Sequence, residues 1–449
     1  MRRFISVAIG LAILWLAAAG GASATTPSCR IGWATATAVS TGQYQQLAVS
    51  RGFSPEAADT LPARLAAEES ALGIRQFLEY PQSSVDKRPR GLLFYVAVPD
   101  KQGVCAMLWR SDDAADSIPA IYALPLAPDA LDARVDDLRA ALLAESGRSG
   151  TLPQPRDGQQ RIAAIARLTS TERVVDLLPD LTAALLPPEI AVRLRDLAKL
   201  TIVPALNVGT APFALLDPGG TGHPLVESVS LTIAPSLNSV AIDQQMYEWS
   251  SPKAAVVFGN PDASKDPDWI FPRLPGAESE AREVAKIFHV TATLGKEVTP
   301  ANVEASMVGA DYIHIAAHGY SDPKSPLDNS FLALTGGRLT ARQVQNMKFD
   351  QLPLVVLSAC QTGLGAVQQA GIIGLARGFL LAGASEVVAS LWNVSDEATA
   401  FMMDDFATNL ATMEPAEALR RAQLATRAKY PDPALWASFV EMGNGMILR

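Results

Sequence analysis

From about residue 186 onward, short runs rich in Val, Ile and Leu alternate with longer stretches of helical periodicity. Apolar, β-branched runs of strand length bounded by turn residues predict buried strands over 199–205, 228–234, 253–261, 289–294, 311–319, 352–360 and 386–392. The intervening stretches predict helices over 187–197, 276–288, from 299 onward, and over 371–382, 399–410 and 414–429. Thr299 is placed to N-cap its helix, and acidic residues fill the first turns of 276–288, where the helix dipole favours them. Strands that alternate with helices predict an α/β fold with a largely parallel sheet flanked by helices.

The pattern before residue 186 differs. Two apolar runs, 92–98 and 104–109, flank the turn Pro99-Asp-Lys-Gln-Gly103 and predict a hairpin. Helices are predicted over 131–144 and 160–178, with a Gly/Pro/Ser-rich loop at 146–157. Residues 25–88 carry a few helical stretches, best at 55–80. The expected organisation is a leader over 1–24, an N-terminal helical region over 25–88, and a domain over 89–449. That domain divides into an N-terminal part, 89–250, and a catalytic core, 251–449.

The leader is read from Arg2-Arg3, the apolar run 5–19, and Gly20-Gly-Ala22-Ser-Ala24, which ends in an A-x-A site. About 15 apolar residues fall short of a comfortable span. A cleaved, bacterial-type signal peptide is expected, with an uncleaved anchor as the alternative. The expected location is the periplasm or the outside of the cell, with no stable membrane span after cleavage.

Composition narrows the classes. The chain has 449 residues, 49% hydrophobic and 18% charged, which suits a globular protein with a sizeable core. A net charge of −9 without a dense Lys/Arg patch argues against a nucleic-acid partner. There are three cysteines, Cys29, Cys105 and Cys360. In an oxidising compartment Cys29 and Cys105 could pair and leave Cys360 as the free thiol, or all three could be buried free cysteines.

Two strand ends carry the candidate chemistry. One is Asp311-Tyr-Ile-His-Ile-Ala-Ala-His318-Gly319; the other is Leu352-Pro-Leu-Val-Val-Leu-Ser-Ala-Cys360-Gln-Thr-Gly363. Ligands of open α/β sheets bind at the carboxyl ends of strands, so a His and a Cys delivered there can form a thiolate–imidazole dyad. Backbone N–H groups near a thiol lower its pKa and can hold an oxyanion. On a single strand, His314 and His318 would share a face. The β-branched run between them argues against a helical metal pair, and no metal or cofactor is expected. Gly363-Leu-Gly365 lacks the third glycine of a dinucleotide loop, because position 368 is Gln. Asp396 reads as a helix cap, with a substrate-binding role in the cleft as the minority reading.

Taken in order, His-Ile-Ala-Ala-His318-Gly319, Val-Val-Leu-Ser-Ala-Cys360-Gln-Thr-Gly, Gly374-Leu-Ala-Arg-Gly-Phe-Leu-Leu-Ala-Gly-Ala384 and Val388-Ala-Ser-Leu-Trp-Asn-Val-Ser-Asp396 resemble the CHAT domain family. Ala211-Pro-Phe-Ala214, Phe258-Gly-Asn-Pro261 and Leu274-Pro-Gly-Ala-Glu278 support the resemblance. It implies a caspase-like, separase-related cysteine peptidase fold with His318 as catalytic histidine and Cys360 as nucleophile. Backbone N–H groups of Gly319 and Cys360 would form the oxyanion hole, and the partner would be a protein or peptide substrate. Gln361 stands where the family often has Glu. The rival expectations are an inactive module of this fold that binds a protein or peptide, and a nucleotide-binding α/β protein.

Overall fold

The computed structural model describes residues 87–98, 103–114, 120–145, 154–156, 173–234, 248–359, 362–368, 371–443 and 447–448. The expected leader, nearly all of the N-terminal helical region, Cys29 and Cys360 lie outside the described residues.

An eleven-stranded sheet organises the described residues. Its strands in chain order are β1 (Arg90–Val98), β2 (Gly103–Arg110), β3 (Ala120–Ala123), β4 (Lys199–Val203), β5 (Ser230–Ile233), β6 (Ala255–Gly259), β7 (Thr293–Leu294), β8 (Tyr312–Ala316), β9 (Leu354–Ser358), β10 (Glu386–Ser390) and β11 (Phe439–Gly443). Across the sheet the order is β7-β6-β8-β9-β10-β11-β5-β4-β1-β2-β3. Strands β7, β6, β8, β9 and β10 form one parallel block. Strands β11, β5, β4 and β1 form a second one. The blocks meet antiparallel at β10 and β11, and the β1–β2 hairpin with β3 extends the far edge antiparallel. The largely parallel reading holds, with that internal reversal as the addition.

The principal helices are α1 (Pro128–Glu145), α2 (Val174–Leu185), α3 (Pro275–Ile287), α4 (Pro300–Met307), α5 (Leu375–Leu381), α6 (Asp396–Asn409) and α7 (Pro415–Lys429). Both faces of the central strands are buried, and their residues alternate between two cores. Tyr312, Val356 and Val388 join Met402, Met403 and Phe406 of α6 on one face. Ile313, Ile315, Val355, Leu357, Val387 and Ala389 meet Val303 and Met307 of α4 and Phe379 of α5 on the other. Helix α3 lies unusually close to β6. A Cβ on Gly259 would stand 2.5 Å from Ala281 Cβ and 2.8 Å from Ala277 O, so only glycine fits there.

Several sequence expectations are corrected. Residues 311–319 are not one strand. β8 stops at Ala316, Ala317 N–H bonds to Ser358 O, and His318–Tyr320 pairs instead with Phe331–Leu334 in a separate three-stranded sheet. His314 and His318 therefore do not share a sheet face. The 289–294 strand shrinks to β7 because α3 closes in a Schellman turn: His289 adopts φ 58°, Val290 N–H bonds to Ala285 O, and His289 N–H bonds to Lys286 O. Residues 371–382 divide into Gly371–Gly374, paired with Gly365–Gln368, and helix α5; β-branched Ile372 and Ile373 suit the strand. α2 runs through Pro179 to Leu185, where the sequence reading ended a helix at 178. α6 starts at Asp396 because Ser395 caps it, accepting from Ala398 N–H. The hairpin and the Thr299 cap stand as expected.

A polar cluster lies in the interior near the junction of the blocks. Lys199 Nζ meets Glu414 Oε1 at 3.1 Å, and Thr232 Oγ1 donates to Glu441 Oε2 at 2.8 Å. Burial raises the Glu441 carboxyl above the usual carboxylate range, opposed by the Lys199 charge and a hydrogen bond with Glu386. Burial pulls the Lys199 ammonium down, but the surrounding Glu414, Glu441 and Glu386 charges outweigh it and leave the group raised. Cys105 on β2 is buried and disulfide-bonded; Cys29, its expected partner, lies outside the described residues.

Candidate active site

Strands β8 and β9 pair parallel with Tyr312 opposite Leu354 and Ala316 opposite Ser358. His318 follows Ala316 by two residues, as Cys360 follows Ser358. The backbone on both sides of positions 360 and 361 is anchored to the end of β10. Ser390 Oγ donates to Ala359 O at 2.6 Å, and Thr362 Oγ1 is within 3.2 Å of the same carbonyl. Ser390 N–H donates to Thr362 Oγ1 at 3.2 Å, and Gly363 N–H to Ser390 O at 2.8 Å. These bonds tie both flanks of Cys360 to one strand terminus.

His318 is 4% exposed. Its Nε2 lies 2.6 Å from Pro272 O, in the segment entering α3. A carbonyl oxygen only accepts, so Nε2 carries the proton and Nδ1 presents the lone pair. Nδ1 is buried and has no hydrogen-bond partner among the described residues. Phe271 packs its ring 5.1 Å from the imidazole, at the margin of an aromatic group with Trp269, Tyr320 and Phe331. Burial holds the His318 pKa below the ordinary imidazole value; the Pro272 carbonyl and the Asp396 charge push the other way. The net result is a neutral imidazole with an available acceptor, the state a general base needs.

Asp396 stands in the first turn of α6 and accepts the Gly276 N–H on Oδ2 at 2.6 Å. The reading of Asp396 as the cap of its own helix is corrected: Ser395 caps α6, and Asp396 instead accepts an N–H of α3. Gly319 pairs with Leu332 in the small sheet. His314 is engaged elsewhere: Nε2 meets Glu280 Oε1 of α3 at 2.7 Å, and Nδ1 lies 3.1 Å from Tyr312 OH. Burial and the Glu280 charge raise the Tyr312 phenol, so it keeps its proton and donates. Among the described residues, no group of three or more His, Cys, Asp or Glu side chains is arranged to hold a metal ion. No helix there is long and apolar enough to cross a membrane.

Sequence reasoning missed Pro272, which acts through its backbone, and Glu280, which looks like any acidic residue of an amphipathic helix. The signal available in the sequence was the segment Leu274-Pro-Gly-Ala-Glu278, which sits between the two.

The CHAT domain matches residues 175–444, more than half of the chain. The chain belongs to the CHAT domain family. Among curated proteins, Tetratricopeptide repeat protein 28 of Homo sapiens is 27% identical over 289 residues, which is 53% of this chain and 12% of that protein. Its Mus musculus counterpart is 25% identical over the same length. This CHAT domain protein thus spans a small fraction of those relatives. In fold it is similar to the separase of the Saccharomyces cerevisiae separase–securin complex, with a TM-score of 0.56, 8% identity, and coverage of 89% of this chain and 32% of that one. A second structure of that complex gives 0.54 at 8% identity, covering 90% and 33%. Gingipain R, an Arg-specific cysteine proteinase, matches at 0.43 and 13% identity over 62% of this chain and 71% of its own. The fold is the caspase-like one shared with the separase–securin structures.

Proposed function

We propose that this CHAT domain protein is a cysteine peptidase that works with a His318–Cys360 dyad. The observation that carries the reading is His318 itself. Its Nε2–H is fixed on Pro272 O, and its buried Nδ1 is left as an acceptor at the end of the strand paired with the one leading to Cys360. In the reaction Nδ1 takes the thiol proton and Cys360 Sγ attacks the peptide carbonyl carbon. The resulting oxyanion accepts from backbone N–H groups, for which Gly319 and Cys360 are the candidates. The protonated imidazole then gives its proton to the leaving amine as the C–N bond breaks. Water hydrolyses the acyl-enzyme, with His318 again as base. The reading of residues 1–24 as an export leader supports a setting outside the cytoplasm.

A second reading is a CHAT-fold module that binds a protein partner without cleaving it. It is favoured by the curated relatives, which are named for their tetratricopeptide repeats. Iodoacetamide modification separates the two. The peptidase reading expects Cys360 to react faster than a free thiol, and more slowly in His318→Ala. Equal rates in both proteins would sink the dyad. Peptide-library digestion with wild type beside Cys360→Ala then tests turnover, and a cleavage profile that survives in the mutant would refute the nucleophile.

A further inference from the structure

Asp396 and His318 hold opposite ends of one five-residue segment. His318 Nε2–H is fixed on Pro272 O, and Asp396 Oδ2 takes the Gly276 N–H at 2.6 Å. Only Arg273, Leu274 and Pro275 lie between. Proline at both 272 and 275 fixes two φ angles, so a shift at one end carries to the other. Pro275 has no N–H, so Gly276 offers the first amide of the thirteen-residue helix α3. A carboxylate there gains from both a charge-assisted hydrogen bond and the helix dipole. The fit excludes any side chain: a Cβ on Gly276 would lie 2.5 Å from Asp396 Cγ, 2.6 Å from Oδ1 and 2.8 Å from the Asp396 carbonyl oxygen. One turn further along α3, Glu280 is fixed to His314 at 2.7 Å.

We infer that Asp396 is a positioning residue for the His318–Cys360 dyad, clasping the start of α3 so that Pro272 O holds the imidazole, and is not a reader of the substrate side chain. The inference rests on the peptidase reading of that dyad. The clasp works in addition through charge, since Asp396 is near enough to favour protonation of His318.

The test compares Cys360 alkylation by iodoacetamide across pH in wild type, His318→Ala, Asp396→Ala, Asp396→Asn and Gly276→Ala. Asp396→Ala and Gly276→Ala are expected to lower the rate by about ten- to a hundredfold, the scale of a small misplacement of a reacting group. Asn keeps an oxygen acceptor for Gly276 N–H, so Asp396→Asn restores most of the rate. Its pH midpoint moves down, because the charge that raised His318 is gone. Reporter peptides with basic and aliphatic residues before the scissile bond lose turnover in Asp396→Ala by the same factor. The inference is overturned if Asp396→Ala alkylates at the wild-type rate, or if only basic peptides lose turnover. If Asp396→Ala does not fold, Gly276→Ala decides, and alkylation at the wild-type rate in that variant overturns the inference. A wild-type Cys360 that reacts independently of His318 defeats the peptidase reading itself; a normal dyad with an indifferent Asp396 defeats this inference alone.

Discussion

His314 and Glu280 meet at 2.7 Å in the interior between β8 and α3, with side-chain exposures of 0% and 2%. The pair ties a helix to the strand that leads to His318. Truncation to Glu280→Ala leaves the buried His314 ring without its Nε2 partner and is expected to cost about 1–3 kcal/mol. Glu280→Gln keeps an acceptor and loses less. Urea unfolding midpoints of the two variants check the order.

Thr362→Val keeps the shape of the side chain and deletes the hydroxyl that joins Ala359 O to Ser390 N–H. The expected loss of stability is about 1–2 kcal/mol. The more telling expectation concerns Cys360, whose alkylation slows several-fold while the melting temperature moves little. Alkylation unchanged from wild type would show that the anchoring of its flanks is not needed.

His318 titrates in a direction that can be tested through stability. Its folded pKa lies below the unfolded value near 6.5. Between those two values the unfolded chain binds the proton and the folded chain does not, so stability falls as pH drops through this window. His318→Asn lacks this dependence. Subtracting its unfolding free energy from that of wild type across pH 4 to 8, at about half-unit steps, isolates the effect. A flat difference would contradict the burial of the neutral imidazole.

At Lys199, the ammonium offsets the Glu414, Glu441 and Glu386 carboxyls in a space with almost no solvent. Lys199→Met is expected to destabilise by about 3–5 kcal/mol, because it leaves carboxylates uncompensated. Adding Glu441→Gln recovers part of that loss. Thermal melts of the single and double variants measure the coupling, and strictly additive effects would mean the charges act independently.

Much of this was legible in the chain. The alternation of apolar runs marked the central strands, and four ordered segments marked the family. What stayed hidden depended on neighbours far away in sequence. The strand through 311–319 reads as one run because nothing local tells β8 to end at Ala316; beyond it, His318–Tyr320 turns away to pair with a strand that follows later in the chain. Pro272 acts through a carbonyl, which has no signature in residue type. The role of Asp396 depends on a glycine 120 residues away, and a cap and a clasp look alike along the sequence. Gly371-Ile-Ile-Gly374 shows the opposite failure, where a strong apolar pattern concealed a short hairpin before the helix.

The reversal between β10 and β11 has a consequence for how the molecule is made. β11 comes last of the eleven strands in chain order, yet it stands in the middle of the sheet between β10 and β5. During synthesis the whole first block and β1, β4 and β5 of the second are made before β11, the strand that joins them, leaves the ribosome. Each block must then wait with a bare central edge exposed, the kind of edge that recruits stray strands. Continuity of the sheet arrives only with residues 439–443, late in translation. A stalled or clipped chain lacking that strand would leave β8 and β9, whose ends lead to the proposed dyad, in a block with no neighbour to lean on, so assembly of that end is coupled to completion of the sheet.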